Sequence, residues 1–190
     1  MEQLALGILE KSKTKVIAEG INGFKIELIE KIGSDDIAQL IEVSEELVKK
    51  FGEGAKLTKS NITKYFNKDT LPFVARQNSK IIGYIIGVPL EYFRKEAWAH
   101  YDINLGKNNT IYTYAFVVSG PFQKRGGYSK SLKRVYLNWV KKRNYHFITG
   151  HTELGVAKNF SRNTETVKIF PEWYGSRVSF EYYRRPILEE

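Results

Sequence analysis

The stretch Thr110–Val140, TIYTYAFVVSGPFQKRGGYSKSLKRVYLNWV, carries the strongest structural signal in the chain. It opens with a run of β-branched and aromatic residues, which predicts a buried strand ending near Ser119. A basic loop that contains two glycines follows, Gln123–Ser129. Beyond the loop, apolar residues recur at the spacing of an amphipathic helix: Leu132, Val135, Tyr136, Trp139 and Val140.

This order of strand, glycine loop and helix predicts an anion-binding site. The first turn of a helix has unpaired N–H groups and the positive end of the helix dipole. Gly126 and Gly127 let the backbone come close to a ligand, and Lys124 and Arg125 add positive charge. We therefore expect a diphosphate to bind at this loop.

Basic residues are concentrated in the same part of the chain. Between Asp102 and Glu153 there is no acidic residue, whereas nine lysines and arginines lie there. Their number equals the net charge of +9 of the whole chain, so the remainder is near balance. A solvated helix face explains the outward lysines of 130–143, but it does not explain the basic residues that precede the helix.

The composition excludes several kinds of site. A chain of 190 residues with 42% hydrophobic and 14% aromatic residues predicts one ordered domain. It has no cysteine, which excludes disulfides, thiolate metal sites and cysteine nucleophiles. Its three histidines match no common ligand spacing, so we expect no metal site. The first residues lack the basic start of a secretory signal, and no apolar run is long enough to span a membrane, so we expect a cytoplasmic protein without membrane association.

Working outward from the central stretch, periodicity and turn residues predict an α/β (α+β) fold. We expect a single domain with a mixed, mostly antiparallel twisted sheet and helices on both faces. Residues 1–23 have no clear pattern beyond a short segment at 2–11 that is compatible with a helix. The other expected elements are a strand from Phe24, a helix from Ser34 to near Gly52, a short helix at Ser60–Phe66, a hairpin of Leu71–Arg76 and Lys80–Val88, an excursion at Pro89–Lys107, a strand at Tyr145–Thr152, a helix at Asn163–Trp173 and a strand at Val178–Tyr183.

These residues resemble the GNAT superfamily of N-acetyltransferases. The family's central motif, Gln/Arg-x-x-Gly-x-Gly/Ala at the start of a helix, is matched by Gln123–Tyr128 through its first glycine, while Tyr128 stands where the family has glycine or alanine. Further on, Asn163-x-x-Thr-x-x-Ile-Phe170 resembles the family's Asn-x-x-Ala-x-x-Leu-Tyr helix. The resemblance covers residues 24–187 and leaves 1–23 unassigned.

The resemblance implies an N-acetyltransferase that uses acetyl-CoA and needs no metal. In the family, pantetheine pairs with the end of the central strand, the loop amides hold the diphosphate, and a backbone N–H, here that of Val118, polarises the thioester carbonyl. A primary amine on a small molecule or a protein attacks directly from the far side, lined by 89–107 and by residues after Tyr145. The expected cofactor-binding residues are Phe116, Val117, Val118, Gln123, Lys124, Arg125, Gly126, Gly127, Tyr128, Ser129 and Asn163.

The chain departs from the family at its proton-transfer positions. Phe170 replaces the tyrosine that serves as hydroxyl donor, and the strand 110–119 contains no acid. His151 is the candidate catalytic base, with Glu153 beside it, because an imidazole titrates in the right range. The alternative for His151 is an ordinary polar residue at a strand end. Tyr128 either crowds the phosphates or stacks on the nucleotide.

Two other functions compete with acetyl transfer. The departures are compatible with a catalytically degenerate domain that binds CoA or another acyl-CoA without turnover. The basic segment 124–143, with Tyr136 and Trp139, is compatible with nucleic-acid binding. Burial explains both aromatics better, because they fall on the apolar stripe of the helix. A homodimer is compatible with the sequence, which has no feature that decides it.

Overall fold

The computed structural model describes residues 10–187 and contains a sheet of eight strands in the order β1-β2-β3-β4-β5-β6-β8-β7. Neighbouring strands are antiparallel except β5 and β6, which are parallel. The predicted mixed, mostly antiparallel sheet is therefore confirmed. The strands are β1 (Lys13–Glu19), β2 (Phe24–Lys31), β3 (Leu71–Gln77), β4 (Lys80–Pro89), β5 (Thr110–Val118), β6 (Phe147–Glu153), β7 (Glu165–Phe170) and β8 (Phe180–Pro186).

The helices lie on opposite faces of the sheet, as the sequence predicts. They are α1 (Ser34–Phe51), the single turn α2 (Ile62–Tyr65) and α3 (Tyr128–Lys142). Because strand side chains alternate, Val74 and Ile86 pack with α1, whereas Phe73 and Ile85 pack with α3. These two sides are the α1 face and the α3 face. No helix in residues 10–187 is long and apolar enough to cross a membrane.

The sheet begins earlier than the sequence indicates. Residues 13–19 form β1, which pairs with β2 in antiparallel register. β1 begins with three polar residues, Lys13–Lys15, and ends with Glu19, so it lacks the alternation of a half-buried strand and gives a weak sequence signal. The helix expected at 2–11 falls almost entirely outside the described residues.

The helix expected at Asn163–Trp173 is wrong, because this segment contains β7. The β-branched and aromatic residues Thr166, Val167, Ile169 and Phe170 favour a strand, and β7 satisfies its backbone by pairing with β8. Asn163 lies exposed in a turn before β7. The predicted contact of Asn163 with the cofactor assumes a helix that this segment does not form.

The excursion between β4 and β5 crosses the α1 face and is fixed by a buried acid. It includes two 3-10 turns, Leu90–Phe93 and Ala97–Tyr101. Asp102 then accepts hydrogen bonds from the Tyr182 hydroxyl (2.8 Å) and from Nη1 of Arg184 (2.7 Å), both on β8. Charge-assisted hydrogen bonds of this kind are strong, so they fix the excursion to β8.

A second buried network joins β2, β3 and α1. The guanidinium of Arg76 donates to Glu27 Oε2 (2.5 Å) and to both carboxylate oxygens of Asp36 (2.9 and 2.6 Å). All three residues are less than 9% exposed. The two carboxylates are tolerated inside the protein because the guanidinium bonds to both and Lys25 Nζ lies 2.7 Å from Oε1 of Glu27.

Replacing Arg76 with methionine should therefore destabilise the protein strongly. Arg76→Met leaves Asp36 and Glu27 buried without their main partner, and we expect a loss of about 3–5 kcal/mol in the free energy of unfolding. Denaturant titration measures this loss. Lys80→Met is the matched control, because the exposed Lys80–Glu42 pair, 3.8 Å apart, should contribute less than about 1 kcal/mol. Equal effects of the two variants would contradict the assignment.

Candidate active site

A wedge-shaped gap opens between β5 and β6. The two strands pair only over Thr110–Tyr112 and Phe147–Thr149. Beyond these residues β5 follows β4 as far as Val118, whereas β6 follows β8 as far as Glu153. The facing edges of β5 and β6 are thus left without strand partners.

A β-bulge accompanies the separation of the strands. Ile86 and Gly87 of β4 pair with Ala115 and Thr113 of β5, so Tyr114 is the extra residue. Bulges bend a strand and increase its twist. Across the gap, a side chain at Gly150 would approach the Tyr183 hydroxyl to 3.1 Å and the Thr113 carbonyl to 3.3 Å, so glycine lets these groups come close.

A cavity of about 550 Å³ occupies the gap and reaches both faces of the sheet. On the α3 face its walls include Lys133, Tyr136, Phe160, Tyr183 and Arg185. On the α1 face the walls are predominantly aromatic: Tyr65, Tyr92, Phe93, Trp98, Tyr112, Tyr114, Trp173 and Tyr174. The excursion 89–107 and β6 both contribute residues to these walls.

The end of β5 presents backbone groups to this gap. The N–H of Ser119 donates to the carbonyl of Ile82 in β4 at 2.8 Å. Because successive residues of a strand point in opposite directions, the N–H groups of Val118 and Phe116 point away from β4 and towards the gap. Val117 and Val118 have buried side chains, so their expected contacts with a ligand must come from the backbone.

The loop after β5 has the geometry expected of an anion site. Lys124, Gly126 and Gly127 have φ angles of 58°, 59° and 66°, and α3 begins at Tyr128 without a side-chain cap. The first N–H groups of α3 are therefore free to bind an anion. Residues 123–127 and Ser129 are exposed, so the basic side chains of Lys124 and Arg125 are accessible.

Gln123 and Tyr128 hold this loop in place. The Gln123 side chain donates from Nε2 to the carbonyl of Val118 at 2.7 Å, which ties the loop to the strand end. The Tyr128 ring packs on Phe24 and Phe122, with centroids 5.0 and 5.9 Å away. The ring thus lies between β2 and the loop, directly beside Gly126.

Lys133 differs from the other lysines of α3. It is partly buried in the cavity wall, and its ammonium group lies 5.1 Å from the centre of the Phe160 ring. Arg185 approaches the same ring to 6.0 Å. Burial, together with the charge of Arg185, lowers the pKa of Lys133. Sequence reasoning missed both residues, because only the tertiary fold brings α3 and β8 to one cavity.

The aromatic residues near the basic helix are packed inside the protein. Tyr136 is 2% exposed, and its hydroxyl lies 3.0 Å from Oγ1 of Thr113. Trp139 is partly buried and packs edge-on against Phe73, with ring centroids 6.0 Å apart. These contacts agree with the expectation that both rings belong to the apolar stripe, which leaves neither free to stack on bases.

His151 lies in the cavity wall on the α1 face, surrounded by aromatic rings. Its Nδ1 lies 2.9 Å from the Tyr112 hydroxyl, and its ring stacks on Trp173 with centroids 3.5 Å apart. Nε2 is buried and has no hydrogen-bond partner among the described residues. Burial lowers the pKa of His151 to about 2, so the imidazole is neutral at physiological pH.

The remaining polar candidates lie at the mouth of the cavity or outside it. Glu96 lines the α1-face mouth, where the Tyr174 hydroxyl donates to its carboxylate at 3.3 Å. Glu153 is exposed at the end of β6 and does not line the cavity. Within residues 10–187, no group of three or more His, Cys, Asp or Glu is arranged to hold a metal ion. Sequence reasoning missed Glu96, because its segment has no motif.

The sequence matches no protein-family model and no curated protein. The fold, however, is similar to that of a GCN5-related N-acetyltransferase from Kribbella flavida, with a TM-score of 0.59 and 14% identity over 88% of this chain and 99% of that chain. It is also similar to the ribosomal-protein-S18-alanine N-acetyltransferase from Escherichia coli, with a TM-score of 0.59 and 13% identity over 88% and 96%.

A third similar structure is yncA from Salmonella typhimurium, solved with its cofactor acetyl-CoA. Its TM-score is 0.60 and its identity is 14%, over 89% of this chain and 96% of that chain. The chain therefore has the GNAT fold, and the predicted fold class is confirmed.

The buried, neutral His151 should make the protein less stable in mild acid, because the imidazole gains a proton only when the chain unfolds. The pKa of His151 is 6.5 when unperturbed and about 2 in the folded protein, so the unfolded chain binds a proton that the folded chain excludes. The contribution of His151 to the free energy of unfolding is therefore complete above pH 6.5. Below that value it decreases by about 1.4 kcal/mol per pH unit.

Urea unfolding of the wild type and of His151→Gln at pH 7.5 and pH 5.0 tests this expectation. From pH 7.5 to 5.0 the wild type should lose about 2 kcal/mol more than the variant, because the other histidines contribute equally to both. Parallel losses in the two proteins would show that His151 titrates normally in the folded state.

Proposed function

We propose that the protein is an acetyl-CoA-dependent N-acetyltransferase that transfers an acetyl group to a primary amine. The observation that carries this proposal is the cavity that passes through the sheet where β5 and β6 separate. The exposed glycine loop Gln123–Ser129 lies beyond the β5 end of the gap, and aromatic residues line the α1 face. A thioester and an amine can thus meet from opposite sides.

The residues present fit a CoA thioester. The free N–H groups of Phe116 and Val118 are the partners that a pantetheine chain needs, and the first amides of α3 suit a diphosphate. Lys124 and Arg125 supply accessible positive charge at the loop. The acetyl-CoA bound to yncA, a protein of the same fold, supports this assignment.

The chemistry that these residues serve is direct acyl transfer. The amine nitrogen forms a bond to the thioester carbonyl carbon, the C–S bond breaks, and CoA leaves as a thiol after one proton is transferred. The backbone N–H of Val118 stabilises the negative charge that develops on the carbonyl oxygen. His151 lies in the cavity wall on the acceptor side, and its lowered pKa makes it a poor proton acceptor.

Gly126 supplies a sharp test of cofactor binding. Gly126→Ala places a Cβ at positive φ and 2.6 Å from the Tyr128 ring, so the loop must shift. We expect a loss of affinity for acetyl-CoA of about tenfold or more, at a stability cost of about 1–2 kcal/mol that leaves the protein folded. Calorimetric titration measures the affinity and thermal unfolding checks the fold.

Gly120→Ala is the matched control, because Gly120 lies in the same connection, has no positive φ and would place its Cβ 3.5 Å from Glu46. Its affinity should equal that of the wild type. Titration with dephospho-CoA and a short single-stranded oligonucleotide completes the experiment. Absence of acetyl-CoA binding together with salt-sensitive oligonucleotide binding would reject the proposal, and acetyl-CoA binding without transfer to any amine would leave a CoA-binding protein.

A further inference from the structure

The α1-face half of the cavity has a composition that restricts the acceptor, if the proposed acetyl transfer holds. Its walls are almost continuous aromatic surface, in which Trp98 contacts Tyr112 of β5, His151 of β6 and Tyr182 of β8, with centroids 4.9, 4.9 and 5.5 Å away. Rings that pack on one another this closely make rigid walls. The ring faces of such walls bind apolar groups, and apart from the tyrosine hydroxyls the walls offer few hydrogen-bond partners.

Polar groups other than the tyrosine hydroxyls are few and lie at two levels. Deep in this half, Nε2 of His151 is a buried nitrogen without a partner in residues 10–187. At the mouth, Glu96 is the only carboxylate among the described residues that line the cavity. Its carboxylate accepts from the Tyr174 hydroxyl and is exposed to solvent, where it can meet an ammonium group.

The other charged residues of the cavity are cations, so they give an ammonium group no further partner. Lys133 and Arg185 lie on the α3 face, on the side that we assign to CoA. Lys64 is exposed at the α1-face mouth, with its ammonium group 5.3 Å above the Tyr65 ring. An acceptor with several ammonium groups would have one carboxylate for all of them and would face these cations as well.

We propose that the acceptor is a small primary monoamine with an apolar body, and that Glu96 is the residue that selects its ammonium group at the cavity mouth. In the bound state the ammonium group pairs with Glu96 at the mouth while the apolar body packs on the aromatic walls, and for transfer the nitrogen then moves inward along these walls towards the thioester. The low-polarity walls favour the uncharged amine, which is the form that attacks a thioester. The proton leaves at the mouth, where Glu96 and solvent receive it.

Binding can be tested without turnover through tryptophan fluorescence. Trp98 and Trp173 line the cavity, whereas Trp139 packs on the α3 face. We expect 2-phenylethylamine to change the emission saturably and to bind more tightly than its neutral analogue 2-phenylethanol. Glu96→Gln should weaken binding of the amine about fivefold and leave binding of the alcohol unchanged.

Glu172→Gln is the matched control, because Glu172 is exposed in the same loop as Tyr174 and does not line the cavity. This variant should bind both probes as the wild type does. Equal losses in the two variants would show a general charge effect and would overturn the role of Glu96.

Acceptor choice is tested by the rate of CoA thiol release from acetyl-CoA with 2-phenylethylamine, L-phenylalanine, spermidine, kanamycin and an alanine-initiated peptide. We expect kcat/KM to be at least tenfold higher for 2-phenylethylamine than for the others. Preference for a polycation, the amino acid or the peptide would overturn the inference while leaving acetyl transfer intact. Amine binding without any acetyl-CoA binding would instead reject the proposed function and retain the amine pocket.

Discussion

The separation of β5 from β6 is the constraint on which the rest of the site depends. The sheet remains continuous because β5 stays paired with β4 and β6 with β8, so the opening costs only the hydrogen bonds between two facing edges. The bulge at Tyr114 bends β5, and Gly150 leaves room on the opposite strand. Every polar group assigned to the cofactor lies along or just beyond the edge that this separation exposes.

Local sequence is sufficient for the central strand, loop and helix, and insufficient for the rest of the cavity wall. The strand, glycine loop and helix of residues 110–140 are contiguous, so their periodicity and turn residues predicted both structure and position. Segment 163–173 resembles a helix of the GNAT superfamily in sequence, but residues 165–170 pair with β8 and form a strand. Glu96, Tyr174 and Arg185 could not be found this way, since only tertiary packing brings them together.

The aromatic enclosure changes how proton transfer can work here. Surroundings that keep His151 neutral equally disfavour an ammonium ion, so an amine that enters is pushed towards its nucleophilic form by desolvation. A strong internal base is then unnecessary, which agrees with the absence of acid from the strand 110–119. In the proposed reaction, low polarity on one side and oriented backbone amides on the other would together take the place of a base.

The contact of Asp102 with Tyr182 and Arg184 has a mechanical consequence. Asp102 belongs to the connection between β4 and β5, whereas its partners belong to β8 beyond the gap, so a buried ion pair links the two halves of the divided sheet. The width of the opening is accordingly set by the protein before any ligand arrives. In the proposed reaction, the dimensions of this preset passage would therefore limit which amines can reach the thioester.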